Sequence, residues 1–559
     1  MQGPFFFLFS MEFSISRREW LIATGVAILL AALLTVPYLL GYGLARPGSV
    51  YSGSLMNAED TQSYFAKMNQ GYEGRWLYQI PFTPEPHQGA FVGGFYLALG
   101  QLAAVLSMTV PAVWHGARFF SGIILFLTTF IFTATFLPDR QSRWIAYLLA
   151  ITGSGLGWLL FATGRTLWLG DVPVDFRMPE AYLFFSALTF PHVALGTATM
   201  MTTFWLILHP LTGRPNRWCY SFLSGLANLV LAIFYPFMIY PVVAVVGLYW
   251  LFLCYQNREI LWGQFGPIAL SFIVPAPLLI YYAVVLQENA VFRAWAEQSV
   301  TLSPPWPHYL LAYGPLIILA LLTVLRRQRR QEMQPLLIFL WFWVGVAVIL
   351  LYSPVNQQRR YVQGLQVPLT ILATVGLVAV VLPWLRSTRS FQKLSTRPRY
   401  SPEKLERFVL FIILLVMSQS NIYLLADISV TAAVRQPFPF FRSEMESQAM
   451  DWLKATGDET KIVMTSAETG NFLAAQVGNP VVLGHWAETV DFATRRLETE
   501  QFYAAATNDE WRKEFLSGYG VSYVWYGPQE RRLGDFEPEK AAYLYPVYQE
   551  AQITIFSVR

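Results

Sequence analysis

Two adjacent carboxylates, Glu59 and Asp60, lie in the segment MNAEDTQSYFAKM, just past the first long apolar run of the chain. A carboxylate at a membrane–water boundary beside aromatic rings is partly desolvated. Its pKa rises, and it can take a proton from an attacking hydroxyl. The same segment also reads as a helix start, in which the acids would serve the helix terminus alone. Farther along, TPEPH carries Glu85 and His87, with two prolines fixing the backbone around them, and Tyr72, Arg75, Trp76 and Tyr78 lie in between. A second polar stretch, GDVPVDFRMPEAY, carries Asp171, Asp175, Arg177 and Glu180, and FPH places His192 at the lip of the next apolar run. A lone histidine there is either a packing group or part of a cavity lined by the outer acids. Arg118, in HGARFF, sits inside an apolar run, where a cation is costly unless paired. In SPVNQQRRYVQG, Arg359, Arg360 and Tyr361 form a segment rich in hydrogen-bonding groups. Guanidinium forks bind phosphate in bidentate fashion, and the alternative for the pair is snorkelling to head groups.

These residues are hung on a very apolar chain. Of 559 residues 55% are hydrophobic and 13% charged, and the mean hydropathy is +0.40. That is too little charge to cover a water-soluble protein of this length. Apolar runs fall near 20–43, 91–110, 113–137, 144–163, 182–209, 218–235, 237–254, 264–286, 309–325, 336–353, 367–385 and 408–427. Many are about 17–25 residues long, which suits a helix crossing a bilayer. The fold class expected is a polytopic α-helical membrane protein of about 11–13 membrane helices, followed by a small α/β domain.

Five basic clusters separate the runs: SRREW (16–20), PDRQSR (138–143), GRPNR (213–217), RRQRRQ (326–331) and the long segment 386–407. Lys/Arg excess marks the cytoplasmic side. With all five inside, the stretch 91–137 makes one net crossing, and 91–110, which opens near Gly93-Gly94, is re-entrant or horizontal. In the cytoplasmic membrane the N-terminus is then on the cytoplasmic side, and the C-terminal region and the first outer loop (44–90) are outside. Twelve full crossings are the competing topology. The apolar patch near the start is too short for a span and shows no cleavage site, and Met11 is an alternative start to Met1. Pro236 in FYPF is expected to divide two helices.

After Asp427 the pattern changes. From Arg442 onward there are 18 acidic and 11 basic residues, against 17 and 28 before. Helical ESQAMDWLKATG, strand-like KIVMTS and helical TGNFLAAQVG are followed by PVVLGHW, by amphipathic segments including VSYVWYG, and by a terminal AQITIFSV, an alternation of strands with helices. The expected domains are therefore 1–430, transmembrane, and 442–559, extracytoplasmic α/β. The chain has no His/Cys metal cluster, nucleotide loop or nucleophile elbow, and no basic–aromatic interleaving of the nucleic-acid-binding type. Its two cysteines, Cys219 and Cys254, imply no disulfide framework.

NAED opening a long first outer loop, TPEPHQGAF, HGARFFSG, FYPF, RRYVQG and a terminal outer domain together resemble the type C membrane glycosyltransferases. That superfamily includes protein O-mannosyltransferases, aminoarabinose transferases and oligosaccharyltransferase catalytic subunits. The resemblance implies sugar transfer from a polyprenyl-phosphate carrier, by an inverting hexosyl- or pentosyltransferase, to a glycan, lipid or protein acceptor at the membrane. It makes Asp60 or Glu59 the first-loop acid, acting as a base or as a ligand of a divalent cation. It makes Arg359 and Arg360 the candidates for the carrier phosphate, and the residues read by themselves add Glu85 and His87 as catalytic candidates and Tyr361, Arg177, Glu180, His192 and Arg118 as substrate-binding candidates. The chain shows no plain D-x-D and no W-W-D, so neither a metal requirement nor a peptide acceptor carries over. A transporter or flippase of a lipid-linked or polar substrate, and a non-catalytic envelope assembly protein, are the alternatives.

The orientation is checked by cysteine labelling. A membrane-impermeant thiol reagent applied from outside should reach Cys placed at Gly71 or Gly520 and miss Cys placed at Gln328. The reverse pattern would invert the topology.

Overall fold

The computed structural model describes residues 15–327, 335–397, 400–456 and 458–559. Met1, Met11, most of the 326–331 cluster with Gln328, and two residues of the 386–407 segment lie outside the described residues.

Among the described residues, six helices are long and apolar enough to cross a membrane: Arg17–Gly43, Val110–Phe136, Arg217–Phe234, Pro236–Asn257, Pro307–Val324 and Gln358–Ser387. Two bent pairs, Trp262–Ile273 with Ala276–Glu288 and Pro402–Met417 with Gln419–Arg435, raise the number to eight. The chain is a multi-pass membrane protein. Several apolar runs are divided by their own sequence. Pro191 separates Leu183–Thr189 from Pro191–Leu211, and Pro236 separates the helices on either side of FYPF. The run at 91–110 forms the 13-residue helix Gly94–Leu106, about 20 Å long and too short to cross alone.

The structure forms two compact units. One contains the described residues up to Thr35, with Arg118–Leu279 and Thr301–Asp427. Lipid-facing helices gain little from apolar contact with one another, so buried amides and hydroxyls carry specificity between them. Gln366 donates to the Gly153 carbonyl (2.9 Å) and accepts from the Leu183 N–H (2.9 Å). Asn228 donates to the Ser271 carbonyl (3.0 Å), and Asn421 to that of Thr152 (2.8 Å).

The second unit joins Val36–Ala117, Ile280–Val300 and Ile428–Arg559. Strand β1 (Ser49–Tyr51), opening the first loop, pairs antiparallel with β2 (Phe441–Ser443). The helix Ala58–Tyr72 packs on Gly94–Leu106 with backbones in contact. A Cβ at Gly71 would lie 2.2 Å from the Leu97 carbonyl oxygen, and one at Gly100 would lie 2.0 Å from that of Met68. Only glycine fits this crossing. The helix Ala467–Val477 packs on the same first-loop helix, where Asn69 donates to the Ala475 carbonyl (2.6 Å).

Strands β3 (Ile462–Met464), β4 (Val521–Tyr526), β5 (Leu544–Glu550) and β6 (Ile553–Val558) make one mixed sheet in the order β3-β4-β6-β5. β3 runs parallel to β4, and β6 antiparallel to both β4 and β5. Met464, Val524, Phe556, Phe502 and Tyr503 form its core. KIVMTS, VSYVWYG and AQITIFSV supply three of the strands. β5 is an addition that Pro546 hides. A proline cannot donate within a ladder, and β5 accommodates it at the sheet edge beside an irregularity between Pro546 and Tyr548.

The packing of Gly71 changes the labelling design. Cysteines are better placed at Trp76 and Ser517, both exposed, and native Cys219 and Cys254 then serve as the inner controls. External reagent should modify the first two positions and spare the native pair, and labelling of Cys219 in sealed cells would contradict the orientation.

Candidate functional site

Glu59 and Asp60 occupy the first turn of the helix Ala58–Tyr72. The N-cap is Asn57, in the left-handed region at φ 46°, so the acids complement the helix dipole without being its cap. Asp60 turns to His485: Nε2 of the imidazole lies 3.2 Å from Oδ1. The histidine is buried, while the Asp60 side chain is 36% exposed and reaches solvent. Glu59 reaches the surface too, but crowding by the surrounding chain raises its pKa. Asp60 and Glu468 push it the same way, and His485 opposes them.

His485 is held by its own segment. The Ala487 N–H donates to Nδ1 (3.3 Å), and the Gly484 N–H donates to the Thr489 hydroxyl, which in turn donates to the Phe82 carbonyl (2.7 Å). The Val481 N–H donates to the Pro81 carbonyl (3.0 Å), so the 481–490 stretch lies along the first loop.

Beneath it is a buried polar cluster. Glu488 pairs with Lys67 (2.8 Å), and Lys67 also donates to the Ser63 hydroxyl (2.7 Å). Ser63 donates to Glu488 Oε1 (2.5 Å) and Tyr78 donates to Oε2 (2.6 Å). The Lys67 ammonium lies 4.2 Å from the centroid of the Tyr78 ring. Burial alone would push the Glu488 carboxyl up. Lys67, His485 and the hydrogen bonds from Lys67 and Ser63 outweigh it, and the carboxyl lies below its ordinary range.

Glu85 and His87 are used differently. Glu85 pairs with Arg495 and accepts from the Thr83 hydroxyl, while Arg495 stacks on Tyr519 at 3.8 Å. His87 takes the Ile80 N–H at Nε2 (2.9 Å) and donates from Nδ1 to the Glu85 carbonyl (2.8 Å). Burial lowers its pKa, only partly offset by Glu85, so the neutral ring clamps the 80–87 turn.

The substrate-binding candidates lie in the other unit. Arg360 pairs with Glu180 (3.3 Å), and Arg177 pairs with Asp171. Arg359 donates its backbone N–H to the Thr301 carbonyl (3.0 Å), and among the described residues its guanidinium has no acid partner. Partial burial, and then the neighbouring Arg359, depress the pKa of Arg177. Two guanidiniums thus approach each other with an excess of positive charge. The loop bearing Arg177 is anchored by the buried Asp175, which accepts from the Gly157 N–H (2.8 Å) and the Ser420 hydroxyl (2.7 Å). Burial raises the pKa of Asp175 despite these bonds.

Tyr361 is buried beside Phe237 at 6.0 Å. His192 packs between Phe190 and Tyr235, with ring centroids 5.5 and 5.3 Å away. Arg118 is buried and donates to the Leu34 carbonyl (3.2 Å) and the Thr35 hydroxyl (3.2 Å). Among the described residues, no group of three or more His, Cys, Asp or Glu is arranged to hold a metal ion.

Sequence reasoning missed His485, Glu488 and Lys67. The available signal was HWAE: two ionisable groups three residues apart in the otherwise apolar PVVLGHWAETV, a segment that makes one isolated bridge, Val463 with Val481, and then turns instead of forming a strand.

No protein-family model and no curated protein matches the sequence. Solved structures do match the fold. The oligosaccharyltransferase of Archaeoglobus fulgidus, tethered to an acceptor peptide, is similar at TM-score 0.53 and 14% identity over 91% of this chain and 69% of that one. ArnT from Cupriavidus metallidurans, bound to undecaprenyl phosphate, gives 0.50 and 12% over 96% and 98%. The arabinofuranosyltransferase AftD from Mycobacteria gives 0.54 and 14% over 97% of this chain and 42% of that larger one. The chain therefore shares the fold of these three structures, in line with the fold that the sequence resemblance implied.

The buried cluster yields a stability prediction. Removing one member of a buried pair costs about 3–5 kcal/mol, because the other is left uncompensated. Lys67→Met should therefore lower the thermal midpoint in detergent more than the double variant Lys67→Met/Glu488→Gln. Because the folded-state pKa of Glu488 is depressed, its contribution is present above about pH 4.3, the ordinary glutamate value, and is lost as the pH falls through the folded value. Glu488→Gln should flatten that acid limb, and an unchanged limb would count against the role of the pair.

Proposed function

We propose that this chain is an integral membrane glycosyltransferase that moves a hexosyl or pentosyl group from a polyprenyl-phosphate carrier to an acceptor hydroxyl on the outer face of the cytoplasmic membrane. The observation that carries the reading is the first-loop acid Asp60, solvent-accessible and engaged by His485, on a fold shared with an oligosaccharyltransferase, with ArnT and with an arabinofuranosyltransferase. That ArnT is bound to undecaprenyl phosphate supports a lipid-phosphate donor here. The acceptor is a glycan, lipid or protein.

Asp60 takes the proton of the acceptor hydroxyl as that oxygen forms its bond to the anomeric carbon. The bond from the anomeric carbon to phosphate breaks, and polyprenyl phosphate leaves with the electron pair. One displacement inverts the anomeric configuration. Arg359 with Arg177 stabilises the phosphate charge that grows in the transition state. Arg360 holds Glu180 and acts on the loop. Glu59, with its raised pKa, is the secondary acid. The region 442–559 is extracytoplasmic and borders acceptor entry.

Two measurements check this. In proteoliposomes supplied with polyprenyl-phosphate sugars, Asp60→Asn should cut transfer about 10²–10⁴-fold with insertion and folding intact, and Glu59→Gln much less. Equal, mild losses would return both acids to a helix-terminal role. Arg359→Ala should weaken donor use about tenfold to a hundredfold, Arg359→Lys less, and Arg360→Ala least, since its charge is already spent on Glu180. Normal donor use by Arg359→Ala would move the phosphate site elsewhere.

A further inference from the structure

Resting on the reading of Asp60 as the base, we infer that His485, supplied by the C-terminal region, is the positioning residue that aims the Asp60 carboxylate through an Nε2–H hydrogen bond. The backbone sets the hydrogen. The Ala487 N–H points at Nδ1, so the neutral ring carries its hydrogen on Nε2, facing Asp60 Oδ1 at 3.2 Å. A protonated ring would carry hydrogen there as well, so the donor towards Asp60 is present in either state.

The groups facing the imidazole are Asp60 and Glu59 from the first-loop helix, and Glu488, with Lys67 behind it, from beneath. The rings of Phe82 (5.8 Å) and Trp486 (5.8 Å) flank it. Since Nδ1 is engaged by a donor, His485 is not built to relay a proton onward. It orients the carboxylate and stabilises its charge. Glu488, three residues on and locked to Lys67, Ser63 and Tyr78, fixes the segment that carries it. The second half of the acid–base apparatus is therefore remote in sequence from the first.

Glutamine places an N–H donor near the position of Nε2, whereas alanine and phenylalanine do not. His485→Ala and His485→Phe should each lower kcat about 10- to 100-fold, with KM for the polyprenyl-phosphate sugar unchanged. His485→Gln should recover activity to within a few-fold of wild type. Loss of the donor destabilises the Asp60 carboxylate, so the acid limb of the rate profile should move to higher pH in His485→Ala and less in His485→Gln. In an Asp60→Asn background, His485→Ala should cause no further loss.

Several outcomes would overturn the assignment: a glutamine variant as poor as alanine, an unmoved acid limb, or losses that multiply in the double variant. An inactive Asp60→Asn beside a fully active His485→Ala would overturn the role of His485 alone. A fully active Asp60→Asn would overturn the base assignment and this inference with it.

Discussion

The buried ion pair between Lys67 and Glu488 is the constraint on which the acid-bearing unit depends. Two charges out of water are tolerable only when paired and saturated with hydrogen bonds, and this pair is both. Ser63 and Tyr78 donate to the two oxygens of Glu488, and Lys67 reaches Ser63 as well as the carboxylate. Such a network has essentially one geometry. It joins a helix of the first loop to a segment more than four hundred residues later, and it fixes both the first turn carrying Asp60 and the turn carrying His485. The glycine crossing of Gly71 and Gly100 holds the other side of the same helix. The first turn that carries Asp60 thus belongs to a rigid element, while the Asp60 side chain keeps solvent contact.

In the other unit the arrangement is electrostatic rather than steric. Among the described residues Arg177 pairs with Asp171 and Arg360 with Glu180, while Arg359 has no carboxylate partner. Like charges brought together raise the free energy of the empty state. An anion arriving there would relieve that repulsion, which is the physical ground for the phosphate site proposed above. Asp175, buried and hydrogen-bonded to Gly157 and Ser420, anchors the loop that supports this crowding.

Much of the fold is legible in the sequence, because apolar runs, prolines and basic clusters act locally. Pro236 divides two helices as FYPF implies, and β3, β4 and β6 form from KIVMTS, VSYVWYG and AQITIFSV. Pro546 concealed β5, since a local rule against proline in strands cannot know that a strand will lie at an edge. For the site, the sequence singled out Asp60, Glu85 and the arginines by residue type. It could not apportion roles, which depend on partners far away. Arg495 and the 80–87 backbone engage Glu85 and His87, and Glu180 engages Arg360. HWAE marks His485 and Glu488 only as ionisable groups in an apolar segment; their roles are set by partners in the first loop, and no local period joins them.

The central claim is that an acceptor oxygen displaces polyprenyl phosphate at an anomeric carbon under the control of an outer-face acid. The most direct test is a balance sheet on the reconstituted wild-type protein, presented with a panel of polyprenyl-phosphate-linked hexoses and pentoses and envelope acceptors. Free polyprenyl phosphate and sugar incorporated into acceptor should appear in equal amounts, with the anomeric configuration inverted. Movement of the intact sugar–lipid across the bilayer with no polyprenyl phosphate released would contradict the account.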